Sequence, residues 1–157
     1  MLKPFFIISI VILFFTSLNA FSEESTQRKI KGPITVTSET LTDDNKSHTA
    51  LFEKNVIART TDMTLYADTM LVYYKEGSGD VTKMDASGNV KLFKNGRVIT
   101  SDKATYYADE DKVIFTGEPR AVDGENVVTG SIITYYISDD RSYVEKSKVF
   151  LKNKKEP

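Results

Sequence analysis

The sequence predicts an all-β domain: an antiparallel sheet folded over on itself, a β-jellyroll or β-taco, built from four stacked repeats. Three observations predict it. First, four short corners recur, at Ser38-Glu39, Ala67-Asp68, Ser101-Asp102 and Gly130-Ser131. A second mark falls between them, at Lys54-Asn55-Val56, Gly88-Asn89-Val90, Gly117-Glu118-Pro119 and Ser147-Lys148-Val149. The steps from corner to mark are 16, 21, 16 and 17 residues, and from mark to next corner 13 each time. A unit of about 30 residues cannot bury its own apolar face and must stack on its neighbours. Second, apolar residues alternate with polar ones inside each unit, the period of half-buried strands. Third, the chain carries 17 Tyr and Phe residues, no Cys and no Trp, and its Gly and Pro stand between the apolar stretches, which suits strands.

The elements follow in order. Residues 1–20 differ from the rest: Lys3 precedes an apolar run from Phe5 to Phe15, and small residues close the segment at Ala20. This is the pattern of a cleavable export signal, cut after Ala20 or after Ser22. The competing reading is a retained membrane anchor, although Ser9, Thr16, Ser17 and Asn19 interrupt a stretch that needs about 20 mostly apolar residues to span. Residues 21–29 form a short N-terminal segment, residues 30–151 the repeat domain, and residues 152–157 a basic tail. The five-residue excess of the second repeat falls in Lys75-Glu76-Gly77-Ser78-Gly79-Asp80, a loop by composition.

Comparing the four copies separates the two faces of each strand. After the corner, one parity reads Leu41, Met70, Ala104 and Ile133, then Val72, Tyr106 and Tyr135. The other reads Thr42, Leu71, Thr105 and Thr134. The first is the inner face. Before the corner, Val36, Leu65, Ile99 and Val128 fill the same inner slot. In the second strand of each unit, Ala50 and Phe52 precede Val56 and Ala58; Met84 and Ala86 precede Val90 and Leu92. Val113 and Phe115 precede Pro119 and Ala121; Tyr143 and Glu145 precede Val149 and Leu151. Glu145 breaks the pattern. Pro119 cannot donate to a ladder and is expected at a bulge or kink. The corner acids Glu39, Asp68 and Asp102 are read as turn stabilisers that accept a backbone N–H; spread one per layer, they do not make a metal site.

The inner slots mix large and small residues. Phe52 shares a layer position with Ala86, and Met70 with Ala104. The seam is therefore either filled, as in an ordinary sandwich, or open as a groove suited to long acyl chains. The two ends of the stack are bare edges, near Ile30–Ile34 and near Val149–Leu151. Either the flanking lysines protect them or they pair with another stack.

Catalytic chemistry has no foothold. The single histidine, His48, stands in the polar run Asp43-Asp44-Asn45-Lys46-Ser47 and reads as a turn residue. No thiol–histidine pair or multi-histidine metal site is available. Carboxylates such as Asp109-Glu110-Asp111 lie in loops, and Gly77-Ser78-Gly79 lacks the lysine and helix of a phosphate loop. The reading is not an enzyme, with no cofactor and no metal. A net charge of −1 gives no reason to expect nucleic acid.

The stretches Gly32–Leu41, Phe52–Tyr74 and Ser87–Gly117 resemble the OstA-like, or LptA, family of periplasmic lipopolysaccharide transport proteins. The resemblance rests on the Ala67-Asp68 and Ser101-Asp102 corners and the Gly88-Asn89-Val90 turn, and covers about Ile30 to Leu151. It implies a V-shaped β-jellyroll in the periplasm whose apolar interior shields the acyl chains of lipid A. It also implies head-to-tail self-association, and docking to the inner-membrane export complex (its LptC subunit) and to the outer-membrane protein LptD. Family lipid contacts match Ile34 and Val36 on the first strand, and Leu92 or Phe93 after the Gly-Asn-Val turn, with parity favouring Leu92. The remaining inner-face candidates are Phe52, Val56, Leu65, Met70 and Val72, then Ile99, Tyr106 and Phe115, then Val128 and Tyr135. Gly130-Ser131 and Pro119 depart from the family pattern. Two alternatives stand beside this reading: a membrane-anchored LptC-like subunit of the same pathway, and a structural β-stack that carries no lipid.

Overall fold

A computed structural model describes residues 33–152. The expected signal segment, the segment before residue 30 and the tail beyond Lys152 lie outside the described residues. Twelve strands run in chain order: β1 (Thr35–Thr37), β2 (Thr40–Asp44), β3 (Thr49–Arg59), β4 (Met63–Tyr74), β5 (Val81–Lys94), β6 (Arg97–Tyr107), β7 (Lys112–Thr116), β8 (Arg120–Asp123), β9 (Asn126–Thr129), β10 (Ile132–Tyr136), β11 (Arg141–Glu145) and β12 (Lys148–Phe150). Every pairing is antiparallel.

The sheet forks at the corners. Strands β3 to β6 are long enough to cross from one wing to the other. In the first wing, β1, the second half of β3, the first half of β4, the second half of β5 and the first half of β6 lead to β8, β9 and β12. In the second wing, β2 and the other halves of the same long strands lead to β7, β10 and β11. The corners and marks of the repeat are the crossing points. Glu39, Asp68, Asp102 and Ser131 stand where a chain leaves the first wing for the second, and Lys54-Asn55, Gly88-Asn89 and Gly117-Glu118 where it returns.

The bend has a definite backbone chemistry. All six residues of those three returning pairs are left-handed, with φ between 48° and 78°. Between β3 and β4, Lys54-Asn55 lie opposite the single residue Asp68; between β5 and β6, Gly88-Asn89 lie opposite Asp102. Two residues against one is a β-bulge, which bends its strand and strengthens the local twist. Asn tolerates the left-handed region better than other side chains. Two of the corner acids, Glu39 and Asp68, take side-chain amides in place of the backbone amides expected for their carboxylates. Asn55 Nδ2 donates to Glu39 Oε1 at 2.5 Å, and Asn89 Nδ2 to Asp68 Oδ2 at 2.9 Å. The backbone N–H groups of Glu39 and Asp102 in turn donate to the carbonyls of Lys54 and Gly117, both at 3.0 Å. Glycine at 88 and 117 has a second cause: a Cβ there would collide with the Asp68 and Asp102 side chains. Pro119 is fully buried in the break between β7 and β8, the kink its missing donor requires.

Across the stack, inner residues line up in rows. One row of the second wing runs Leu41, Phe52, Met70, Ala86, Ala104, Phe115, Ile133, Val144. One row of the first runs Val36, Ala58, Leu65, Leu92, Ile99, Ala121, Val128, Val149. Buried members of both rows belong to one core, so the two wings face each other as the arms of a V. The fourth repeat corrects the sequence reading. Val144, not Tyr143 or Glu145, points inward, and Tyr143 is 62% exposed. Ala58, Leu92 and Ala121 follow their row partners Phe52, Ala86 and Phe115 by six residues, but Val149 follows Val144 by five. The last bend turns on one left-handed residue, Lys146, in place of a pair. It therefore comes earlier than the expected mark at Ser147, and the parity before it is reversed.

Gly88 and Gly77 have nearly equal φ, 78° and 80°, but only Gly88 abuts another side chain. Gly88→Ala is expected to lose about 1–3 kcal/mol of stability through strain at the bend, and Gly77→Ala clearly less, by urea unfolding. Equal losses contradict the packing role given to Asp68.

Candidate functional site

The rows explain where the seam is full and where it is not. Met70 and Phe115 flank two alanines, Ala86 and Ala104, in the second-wing row. The missing side-chain volume leaves a cavity of about 50 Å³ between the wings, partly open to solvent. Leu65 and Leu92 line it from the first wing, and Met70, Met84, Ala86, Ala104 and Tyr106 from the second. Its walls are almost wholly apolar. For scale, a dry cavity of about 150 Å³ is large enough to hold benzene. The groove expected as one of two possibilities is thus, in this conformation, a small gap in a seam whose central positions are otherwise packed.

The thirteen residues singled out from the sequence divide accordingly. Ile34, Leu65, Met70, Leu92 and Tyr106 line the cavity. Val56, Val72, Ile99, Phe115 and Tyr135 are buried in the core around it. Val36 and Phe52 are half-buried and pack against that core, and Val128 is half-buried in β9. Among the described residues, the strand that holds Val36 is paired on one side only. Parity places Leu92 inside at 4% exposure and Phe93 outside at 40%, packed edge-on against Tyr66. Sequence reasoning missed three lining residues, Thr60, Met63 and Ile137. Each lies two residues from an inner position it did identify, Ala58, Leu65 and Tyr135 in turn, so extending the alternation would have found all three.

Three methionines, Met63, Met70 and Met84, meet at this cavity. Methionine is unbranched and polarizable and repacks around different shapes more readily than Leu or Ile. Tyr106 is the one lining residue with a titratable group. Burial, with Asp111 and Asp109 nearby as smaller causes, pushes its hydroxyl up to about 12. The outer rings of the tyrosine pairs are dressed by cations instead: Lys83 over Tyr73, Lys112 over Tyr107 and Arg141 over Tyr136. His48 lies in the turn before β3 with φ of 53°, near Glu76 and Tyr74. Among the described residues no three His, Asp or Glu side chains gather as a metal site, and no helix is long and apolar enough to cross a membrane.

Comparison with known proteins decides the family. The family described as LptA/(LptD N-terminal domain) LPS transport protein matches this chain over residues 35–141. The chain belongs to this family. It is a family of lipopolysaccharide transport proteins, not of enzymes. Among solved structures, the fold is similar to the crystal structure of LptH from Pseudomonas aeruginosa. That protein is described as the LptA-homologous periplasmic component of the lipopolysaccharide transport device. The TM-score is 0.71 at 11% identity, covering 80% of this chain and 99% of that one. No curated protein sequence matches the chain. The family's V-shaped β-jellyroll, expected from the resemblance, is the fold observed.

The raised hydroxyl of Tyr106 has a consequence for stability. The folded state holds the neutral phenol above the ordinary value near 10, so its contribution is complete below pH 10 and is lost as the pH climbs towards about 12. Thermal melts across that window should show Tyr106→Phe losing less stability than the parent chain. Identical alkaline losses contradict the assignment.

Proposed function

We infer that this chain is a periplasmic lipopolysaccharide carrier that shields the acyl chains of lipid A between the wings of its jellyroll. The observation that carries the reading is the apolar seam with its methionine-lined gap. Burying a methylene is worth about 0.8 kcal/mol, so a dozen carbons supply roughly 10 kcal/mol before ordering costs. The gap of about 50 Å³ is too small for such a chain as it stands. Loading therefore requires the wings to part and Met63, Met70 and Met84 to repack, with no backbone hydrogen bond broken inside either wing.

The ends of the stack support a bridging role. Among the described residues, strands β1 and β2 pair only with β3, β11 only with β10, and β12 only with β9, so both wings keep an unpaired edge at each end. Apolar side chains stand exposed there: Leu41 at the first end, and Val149, Phe150 and Leu151 at the last. Strand addition at such edges satisfies the ladder and buries these residues. A head-to-tail contact of this type is open-ended and continues the seam from one molecule to the next. In this reading one end meets the inner-membrane export complex through LptC, the other meets LptD, and copies of the chain lie between. The carrier consumes no energy itself.

The test uses the alternation of the strand. A photo-crosslinking amino acid at Leu65, on the inner face of β4, is expected to capture lipopolysaccharide in living cells. The same group at its neighbour Tyr66, on the outer face, is expected to capture little or none. Capture at neither position in a folded, exported protein favours a structural β-stack; equal capture at both points to adsorption on the surface.

A further inference from the structure

The tips of the two wings are tied together by polar contacts directly over the cavity. Lys94 ends β5 and Arg97 begins β6, both at the tip of the first wing, and the two are paired across the ladder. Ile137 and Asp140 belong to the turn after β10, at the tip of the second wing. Lys94 Nζ donates to the carbonyl oxygen of Ile137 at 3.3 Å and stands 5.3 Å above the Tyr135 ring. Asp62 holds the same ammonium from the first wing at 3.7 Å. Arg97 Nη1 pairs with Asp140 Oδ1 at 3.1 Å, and its Nη2 with Asp123 Oδ2 at 3.4 Å. The Tyr135 hydroxyl donates to the same Asp140 oxygen at 2.6 Å, which fixes the carboxylate for Arg97.

These contacts differ from the rest of the charged surface in three ways. They join one wing to the other, whereas Lys83–Asp85, Lys112–Glu110 and Arg141–Asp139 join neighbours two apart, and His48–Glu76 and Lys152–Glu125 each stay within one wing. The Lys94 side chain is only 11% exposed. The residue whose carbonyl Lys94 grips, Ile137, is itself a wall of the cavity, as is Met63, which faces Lys94 across the β4–β5 ladder. The two wings join covalently only through the bends, so a contact between their tips acts at the longest lever arm.

We propose that Lys94 and Arg97, gripping Ile137 and Asp140, form a latch that holds the V closed and gates the entry of apolar chains to the seam. The proposal rests on the carrier reading for what passes the gate, and on geometry alone for the gate. An exposed ion pair is individually weak and screened by salt, which suits a closure that must release. The sheltered Lys94 contact gives it a fixed geometry. Opening the latch breaks no ladder hydrogen bond and exposes the methionine-lined gap along its length.

The test measures wing separation and uptake independently. The chain has no cysteine, so Glu125→Cys and Asp139→Cys, in exposed turns of opposite wings, place one spin label or one arm of a cleavable bis-thiol crosslinker on each tip. The parent chain is expected to show one narrow distance. Arg97→Gln or Asp140→Asn should broaden it towards longer values and speed the uptake of parinaric acid, a fluorescent fatty acid, roughly two- to fivefold. Arg97→Lys, which keeps a positive charge beside Asp140 and Asp123, should leave both close to the parent. Crosslinking the tips should stop uptake, and cleaving the crosslinker should return it. Unchanged distances in both single variants, or full-rate uptake by the crosslinked protein, overturn the latch. Broadened distances with no uptake by any variant leave the latch standing and overturn the carrier reading instead.

Discussion

The structure depends on one constraint: every long strand has a single dry face, and the chain must bend at each crossing so that both halves of that face point into the same seam. The bend meets it with two left-handed residues set against one corner residue of the next strand. Lys54-Asn55 face Asp68, and Gly88-Asn89 face Asp102. Side-chain amides tie Asn55 to Glu39 and Asn89 to Asp68, so the bends of adjacent strands lock to one another. Without this lock the strands would run straight and form one flat sheet with an exposed apolar face, which a monomer tolerates poorly.

A seam made in this way is adjustable where a closed sandwich is not. Each wing keeps its own ladder of hydrogen bonds, and the wings are joined by the bends, by apolar packing and by a few polar contacts at the tips. Packing is tight next to the bends, where Val56, Val90 and Pro119 are almost wholly buried, and equally so at Phe115, Ile133 and Tyr135 farther out along the second wing. It loosens beside Ala86 and Ala104, where the methionines gather. The buried members of the two rows form one core that holds the wings together.

Most of this architecture was legible in the sequence, for a physical reason. Crossing a corner costs three residues from one inner position to the next (Ala67 to Met70, Ser101 to Ala104), so a search for plain alternation loses phase there. Comparing equivalent positions of four copies restores it, and the observed rows agree with that reading from Val36 to Ile133. The fourth repeat failed because its last bend has one left-handed residue, Lys146, where the others have two. Nothing in the local composition of Glu145-Lys146-Ser147 announces the missing one. Lys94 was passed over for another reason: it shares the parity of Leu92, but a charge on an inner face is discounted until a partner for it is seen. That partner, the carbonyl of Ile137, lies 43 residues away and leaves no trace in sequence. The size of the gap was illegible too, because it depends on how Met63, Met70 and Met84 fill the space that two alanines leave.

The central claim is that acyl chains enter between the wings and displace the methionine lining. The most direct measurement is methyl NMR of the protein labelled at its methionines, titrated with lipid A. The account predicts that the methyl signals of Met63, Met70 and Met84 move and show through-space contacts to acyl methylenes. Binding of lipid A with those three signals unmoved, or no binding at all by the folded protein, would contradict it.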